Sequence, residues 1–115
     1  MTVAECYDRI GEDYAAVVER FGGESMVQYF CTKFLRDRSF AELTAAIHSQ
    51  DAETAFRSAH TLKGVCLNLG FGKLGKAASD LTEYLRGRTA VEGCDDLYAA
   101  VALEYRRVAD ALNQL

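Results

Sequence analysis

The sequence contains no proline among its 115 residues, which leaves glycine as its only strong helix breaker. Half of the residues are apolar, and Ala, Leu, Glu, Lys and Arg are abundant, a composition that favours helix throughout. A chain of this length is large enough for one domain with one core. We therefore predict a single all-α domain that spans residues 1–115.

Long apolar runs are also lacking. No run approaches the ~18 residues that a membrane helix needs, and no cationic segment followed by an apolar one opens the chain. The cysteines form no Cys-x-x-Cys pair, so a zinc or redox site is a weak interpretation and free, buried thiols are expected. There are four of them: Cys6, Cys31, Cys66 and Cys94. Together these features predict a cytoplasmic protein that does not bind membranes.

Acidic residues are missing from one internal stretch. The net charge of −4 argues against nucleic-acid binding, but no Asp or Glu occurs between Glu53 and Asp80. Four basic residues lie in that interval: Arg57, Lys63, Lys73 and Lys76. The interval thus carries +4 and the rest of the chain −8. Such a concentration favours a phosphoryl group or an acidic partner surface, although an ordinary solvated helix face explains it equally well.

The spacing of apolar residues divides the chain into helices. Two short N-terminal helices are predicted within about 3–21, the first behind a capping box of Thr2 and Glu5. A second capping box, Ser39 with Glu42, and an N-cap at Asp51 mark two later helix starts. The later helices are predicted at about 24–36, 40–49, 51–69, 73–86 and 95–113. The longer ones should form an antiparallel up-down four-helix bundle, with the N-terminal helices capping one end.

The most informative stretch is Ala-His-Thr-Leu-Lys-Gly-Val-Cys-Leu-Asn-Leu-Gly, residues 59–70, with His60 as its second residue. At 3.6 residues per turn most of its apolar residues fall on the far or flanking side of the helix, so the imidazole should face solvent. These residues are Ala59, Leu62, Cys66 and Leu69. Lys63 and Gly64 lie one turn further along the same face. Glycine inside a helix costs about 1 kcal/mol relative to alanine, and we interpret Gly64 as space for a partner beside the ring.

This pattern resembles the signature of histidine-containing phosphotransfer (HPt) domains. The resemblance rests on Ala-His-Thr-Leu-Lys-Gly followed by Leu69-Gly70, and extends from Phe21-Gly22-Gly23-Glu24 to Leu81-Thr82-Glu83. It implies a helical bundle that serves as a phosphocarrier of a two-component phosphorelay and is not itself an enzyme. The expected partners are response-regulator receiver domains in a pathway headed by a hybrid or sensor histidine kinase.

The resemblance also assigns roles to single residues. His60 would accept the phosphoryl group on a ring nitrogen, Lys63 would interact with the phosphoryl oxygens, and Gly64 would let the receiver approach. The receiver would supply Mg²⁺ and most catalytic groups, so no cofactor is expected on this chain. A neutral imidazole is a competent nucleophile near pH 7, which agrees with that role.

Further residues on the face of His60 are candidates for partner docking. The apolar side chains of Phe56, Leu67 and Phe71 fall within about 40° of His60 if the helix stays regular to position 71. They form either a docking patch or a surface covered by the N-terminal helices. The predicted docking residues are Phe56, Arg57, Leu67, Phe71, Lys73 and Lys76. Lys73 is included from its position alone, and a simple surface lysine is an equal alternative.

Two other functions compete with the phosphocarrier. A sensor-kinase dimerisation region also presents a histidine on helices, but there an acidic residue usually follows the histidine and a proline comes soon after. This chain has Thr61 and no proline, and should be a monomer. A helical interaction module without phosphotransfer is the other alternative. His48, at a predicted helix end, is assigned no function, and a metal site shared by His48 and His60 lacks a third ligand.

Overall fold

The computed structural model describes residues 1–115 as seven helices without any strand, which confirms the all-α class. The helices are α1 (Val3–Ile10), α2 (Tyr14–Phe21), α3 (Glu24–Phe34), α4 (Ser39–His48), α5 (Ala52–Asn68), α6 (Gly72–Leu85) and α7 (Asp95–Leu112). None of them combines the length and the apolar character of a membrane span. The molecule is elongated, 42 × 23 × 21 Å.

Helices α4 to α7 form the bundle, with contacts between α4 and α5, α5 and α6, and α6 and α7. The bundle is closed between its first and last helices by aromatic side chains, since Phe40 of α4 stacks on Tyr105 of α7 with ring centroids 4.1 Å apart. The short α1 packs on α7, and α2 packs on α3. The predicted four-helix bundle with short N-terminal helices at one end is therefore confirmed.

Two of the three predicted helix starts are confirmed. The Thr2 hydroxyl accepts from the Glu5 N–H at 3.1 Å while the Thr2 N–H donates to the Glu5 carboxylate at 2.9 Å, so the capping box is complete. At the start of α5 the Asp51 carboxylate accepts from the Thr54 N–H at 3.1 Å. Side-chain oxygens thus satisfy backbone donors that the first turn of each helix leaves free.

The predicted capping box of Ser39 and Glu42 is wrong. Ser39 is already the first residue of α4, no side chain caps the helix in this way, and Ser39 is buried. Its backbone N–H instead donates to the carboxylate of Asp37 at 2.8 Å. An acidic residue just before the helix therefore takes the place that the pattern gave to the serine hydroxyl.

The apolar side of α5 faces the core and sets the rotation of the helix. One cluster of 26 buried residues runs through the molecule, and Ala59 and Leu62 of α5 belong to it with no exposed surface. Gly75 lies where α6 meets Cys66 and Leu67 of α5, and its lack of a side chain lets the two helices pack closely. With that side buried, the opposite side of α5 is left to solvent.

Phe71 is not on the exposed face, and its predicted docking role is wrong. Helix α5 ends at Asn68, and Gly70 follows with a φ of 75°, so the chain turns before Phe71. The Phe71 side chain is fully buried, with its ring centroid 5.5 Å from that of Tyr7 and 5.2 Å from that of Phe34. The N-terminal helix thus covers it, because the helix does not stay regular to position 71.

The buried thiols give the stability of the fold a dependence on pH. All four cysteines are free and buried, and burial raises the pKa of the Cys31 thiol to about 11 and that of the Cys66 thiol further. In the unfolded chain Cys31 would lose its proton near pH 9, so above that pH the folded state binds more protons and is progressively disfavoured. We expect Cys31 to lower the free energy of unfolding by about 1 kcal/mol between pH 9 and pH 10.

Urea unfolding in reducing buffer at several pH values from 8 to 10 measures this effect. A Cys31→Ala variant will be less stable at every pH because it leaves a cavity. Its free energy of unfolding should nevertheless fall less steeply with pH than that of the unmodified chain. Equal slopes for the two proteins would contradict the assignment to Cys31.

Candidate functional site

His60 lies in the middle of α5 on its exposed side. The neighbouring residue Ala59 and the residue two further on, Leu62, are fully buried, so the imidazole is held outward by the packing of the helix that carries it. Arg57 and Thr61 are exposed beside it. The helix therefore presents a histidine to solvent from a rigid position in the bundle.

Gly64 lies one turn after His60 and is exposed. A methyl group added at its Cα would meet no atom of the chain within 4 Å. By contrast, a methyl group at Gly75 of α6 would lie 2.7 Å from the Leu67 side chain, so packing explains that glycine. Nothing inside the molecule requires a glycine at position 64, although it weakens the helix. The reason for it is to be sought outside the chain.

Lys63, three residues after His60, is the basic residue of this region whose charge stays available. It is half-buried, and none of the six ion pairs of the structure includes it. The other cations of α5 and α6 have carboxylate neighbours. Arg57 is 3.8 Å from Glu53 and Lys76 is 3.0 Å from Asp80, and Lys73 is paired as described below. In the folded chain, acidic residues at the ends of the stretch therefore lie beside basic residues inside it.

Lys73 lies at the start of α6, directly after the turn that joins α5 to α6, and its ammonium group is bound by the turn between α1 and α2. Its ammonium group donates to the Gly11 carbonyl at 3.0 Å and lies 4.0 Å from the Glu12 carboxylate. Its backbone N–H also donates to Glu12 at 2.9 Å. Lys73 therefore ties the start of α6 to the turn between α1 and α2.

Phe56 lies one turn before His60 and is half-buried. The two rings are nearly parallel, with an interplanar angle of 12° and centroids 6.1 Å apart. Phe56 therefore belongs to the immediate surroundings of the imidazole, as its helical spacing predicts.

Glu83 of α6 and Arg86, which directly follows α6, complete these surroundings, and neither was among the predicted site residues. The Arg86 guanidinium lies over the Phe56 ring, 5.1 Å from its centroid, and donates to both oxygens of Glu83 at 2.8 and 3.2 Å. Hydrogen bonding to Arg86 lowers the pKa of the Glu83 carboxyl, and the charges of Lys63 and His60 lower it further. The antiparallel register of α5 and α6, which places position 86 opposite position 56, is the signal that could have revealed them.

An open groove of about 540 Å³ runs beside Gly64 between α3 and α5. Phe30, Phe34 and Val65 give it an apolar floor, and Lys33 adds a cation. Leu67 is also exposed, with 48% of its surface accessible, and its side chain lies beside Gly75 of α6. The exposed side of α5 therefore continues into an apolar surface that a partner can contact.

Residues 25–115, which include α3 to α7, match the family model described as Hpt domain. Comparison with curated proteins and with solved structures finds no match.

Proposed function

The chain belongs to the Hpt domain family, and on that premise we propose that it carries a phosphoryl group on His60 between the aspartates of receiver domains. Hpt domains are phosphocarriers that exchange phosphoryl groups with receiver domains and histidine kinases in phosphorelays. The observation that supports His60 as the acceptor is its surroundings on α5. It is exposed, Lys63 beside it has no ion-pair partner, and Gly64 is a glycine that the fold does not need.

The proposed reaction is a direct transfer between two side chains. A neutral ring nitrogen of His60 attacks the phosphorus of the receiver's aspartyl phosphate, so that an N–P bond forms while the P–O bond to the aspartate breaks. The carboxylate leaves, and the proton on the other ring nitrogen passes to solvent. Lys63 would offset the charge of the phosphoryl oxygens through charge-assisted hydrogen bonds. The Mg²⁺ of the reaction belongs to the receiver.

The receiver would dock on the face that surrounds His60. Gly64 leaves room for its backbone, while Phe56 and Leu67 offer apolar contacts on either side of the histidine. Arg57 and Lys76 would lie toward the edge of this contact, where exposed charges steer association more than they tighten binding. We further propose that the protein acts as a monomer in the cytoplasm, where its four free thiols would stay reduced.

Transfer of labelled phosphate from a phosphorylated receiver domain tests this function. We expect the label to appear on this chain and to be lost in acid but kept in alkali, as for a phosphorus–nitrogen bond. No label from a panel of receivers, with the chain folded, would favour a helical interaction module without phosphotransfer.

The kinase dimerisation region makes a different prediction about mass. Such a region completes its four-helix bundle with a second chain, whereas here one chain closes a core of 26 residues by itself. Sedimentation equilibrium should therefore give the mass of one chain. A stable dimer would support the kinase fragment instead.

A further inference from the structure

We propose that Arg86 is a second phosphoryl-binding cation of the His60 site, which Glu83 holds in an ion pair until the imidazole carries a phosphoryl group. This inference rests on the proposed role of His60 as phosphoacceptor. Glu83 of α6 and Arg86, which directly follows α6, would then regulate the charge at the site from outside the helix that carries the histidine.

Arg86 lies near the imidazole in the structure. The imidazole, the Phe56 ring and the Arg86 guanidinium are neighbours in that order, at 6.1 and 5.1 Å. The guanidinium is therefore no farther from the imidazole than these two separations added together. Phe56 gives the guanidinium a flat surface along which it can move while keeping its cation–π contact. Arg86 directly follows α6, and a shift of its flexible side chain along the ring would bring the guanidinium toward a group attached to His60.

The ion pair between Arg86 and Glu83 is weak enough for Arg86 to exchange its partner. The Arg86 and Glu83 side chains are 54% and 57% exposed, and ion pairs at such positions contribute little to stability. A phosphoryl group carries more negative charge than a carboxylate and offers three acceptor oxygens. Phosphorylation of His60 should therefore draw Arg86 away from Glu83.

The Glu83 carboxylate responds to the charges of the His60 site. Lys63 and His60 both help to lower the pKa of its carboxyl, so this carboxylate lies within the electrostatic reach of the site. A negatively charged phosphoryl group on His60 would repel it. Attraction of Arg86 and repulsion of Glu83 act in the same direction, and both favour opening of the ion pair.

The expected consequence is a longer life for the phosphorylated histidine. In hydrolysis the N–P bond breaks, water supplies the new oxygen on phosphorus, orthophosphate leaves and the ring nitrogen takes up a proton. In the loose transition state of this reaction charge moves from the phosphoryl oxygens toward the leaving nitrogen. A cation bound to those oxygens therefore stabilises the starting state more than the transition state, and slows the loss of phosphate.

The test uses chemical phosphorylation with phosphoramidate, which needs no receiver. Both histidines are exposed, and peptide mapping by mass spectrometry separates phosphorylated His60 from phosphorylated His48. Arg86→Met keeps an apolar side chain on Phe56 but removes the charge, whereas Arg86→Lys restores the charge. Arg107, which pairs with Glu104 at 2.6 Å in the same i,i+3 arrangement on α7, provides the matched control Arg107→Met.

We expect phosphorylated His60 to hydrolyse about three- to tenfold faster in Arg86→Met, with partial rescue in Arg86→Lys, because one charge-assisted contact is lost. Added salt should shorten the lifetime in the unmodified chain more than in Arg86→Met, an effect that loss of packing would not produce. Glu83→Gln should lengthen it. The lifetime of phosphorylated His48, and that of phosphorylated His60 in Arg107→Met, should not change.

An unchanged lifetime of phosphorylated His60 in Arg86→Met would overturn the proposal, as would equal acceleration at His48. Labelling of His48 without His60 would overturn it as well, because the proposal needs a reactive His60. Failure of every receiver to transfer phosphate, with the dependence on Arg86 retained, would refute the proposed function while leaving the electrostatic role of Arg86 in place.

Discussion

His60→Gln is expected to reduce labelling of the chain by a phosphorylated receiver domain to background. Glutamine has no nucleophilic ring nitrogen, so no N–P bond can form, whatever else the variant retains. The substitution is made at an exposed helix position and replaces histidine by a better helix former. The fold should therefore persist, and labelled phosphate on the protein is the quantity to measure.

The matched control is His48→Gln, since His48 is also exposed and lies at the end of a helix of the same bundle. It should accept label at the rate of the unmodified chain. The three proteins should have the same helix content by circular dichroism. Their free energies of unfolding in urea should agree within about 0.5 kcal/mol, as is usual for exposed substitutions. Label retained by the folded His60→Gln variant would contradict the assignment, and so would label lost in His48→Gln.

The same variant separates transfer from binding. His60→Gln leaves Phe56, Leu67 and the surface around Gly64 in place, so it should still bind the receiver that labels the unmodified chain. If the variant binds the receiver without accepting phosphate, while the unmodified chain does both, His60 is identified as the acceptor. Binding without transfer in both would instead describe an interaction module.

The helical class and the exposure of His60 could be predicted from the sequence because both follow from local patterns. A chain without proline has few ways to interrupt a helix, and the apolar side of α5 with Leu62 at its centre turns the opposite side outward. The caps at Thr2 and Asp51 are equally local, since each involves residues three apart. Such features depend on a few neighbouring residues and not on the packing of the whole chain.

The remaining features depend on contacts between distant residues. The turn at Gly70 directs Phe71 into the core, and Lys73 is held by Glu12, sixty-one residues earlier in the chain. Arg86 approaches Phe56 only because α5 and α6 pack in one particular register. Periodicity within one helix contains no information on these pairings, so it placed Phe71 on the exposed face and missed Arg86.

The ion pairs of the basic residues near His60 also could not be predicted from the sequence. An interval without Asp or Glu in the sequence suggested a positive surface, yet carboxylates from beyond the interval pair with Arg57, Lys73 and Lys76. Only Lys63 keeps its charge free of an ion pair. Charge counted along the chain thus overstates the positive field near His60, and the structure reduces it to one lysine beside the ring and one arginine that a carboxylate holds.

Gly64→Leu is expected to lower the rate of transfer from a receiver about 100-fold while making the protein more stable. The two effects have separate causes. A leucine at this position meets no atom of the chain at its Cβ and replaces a poor helix former, which should raise the free energy of unfolding by about 0.5–1 kcal/mol. The same side chain would project beside His60 and keep the receiver from a productive distance, where a displacement of about 1 Å can cost 10²-fold in rate.

Gly64→Ala gives the intermediate case, because its single methyl group gains nearly all of the helix stabilisation with little obstruction. In urea unfolding, most of the gain in stability should therefore appear already in Gly64→Ala. In single-turnover transfer, most of the loss of rate should appear only in Gly64→Leu. Unchanged transfer in Gly64→Leu would mean that the glycine does not serve access. A loss of stability in Gly64→Ala would mean that the fold itself needs the glycine, contrary to the open space around it. If both expectations hold, the helix carries a destabilising residue because the partner, and not the fold, requires the space beside His60.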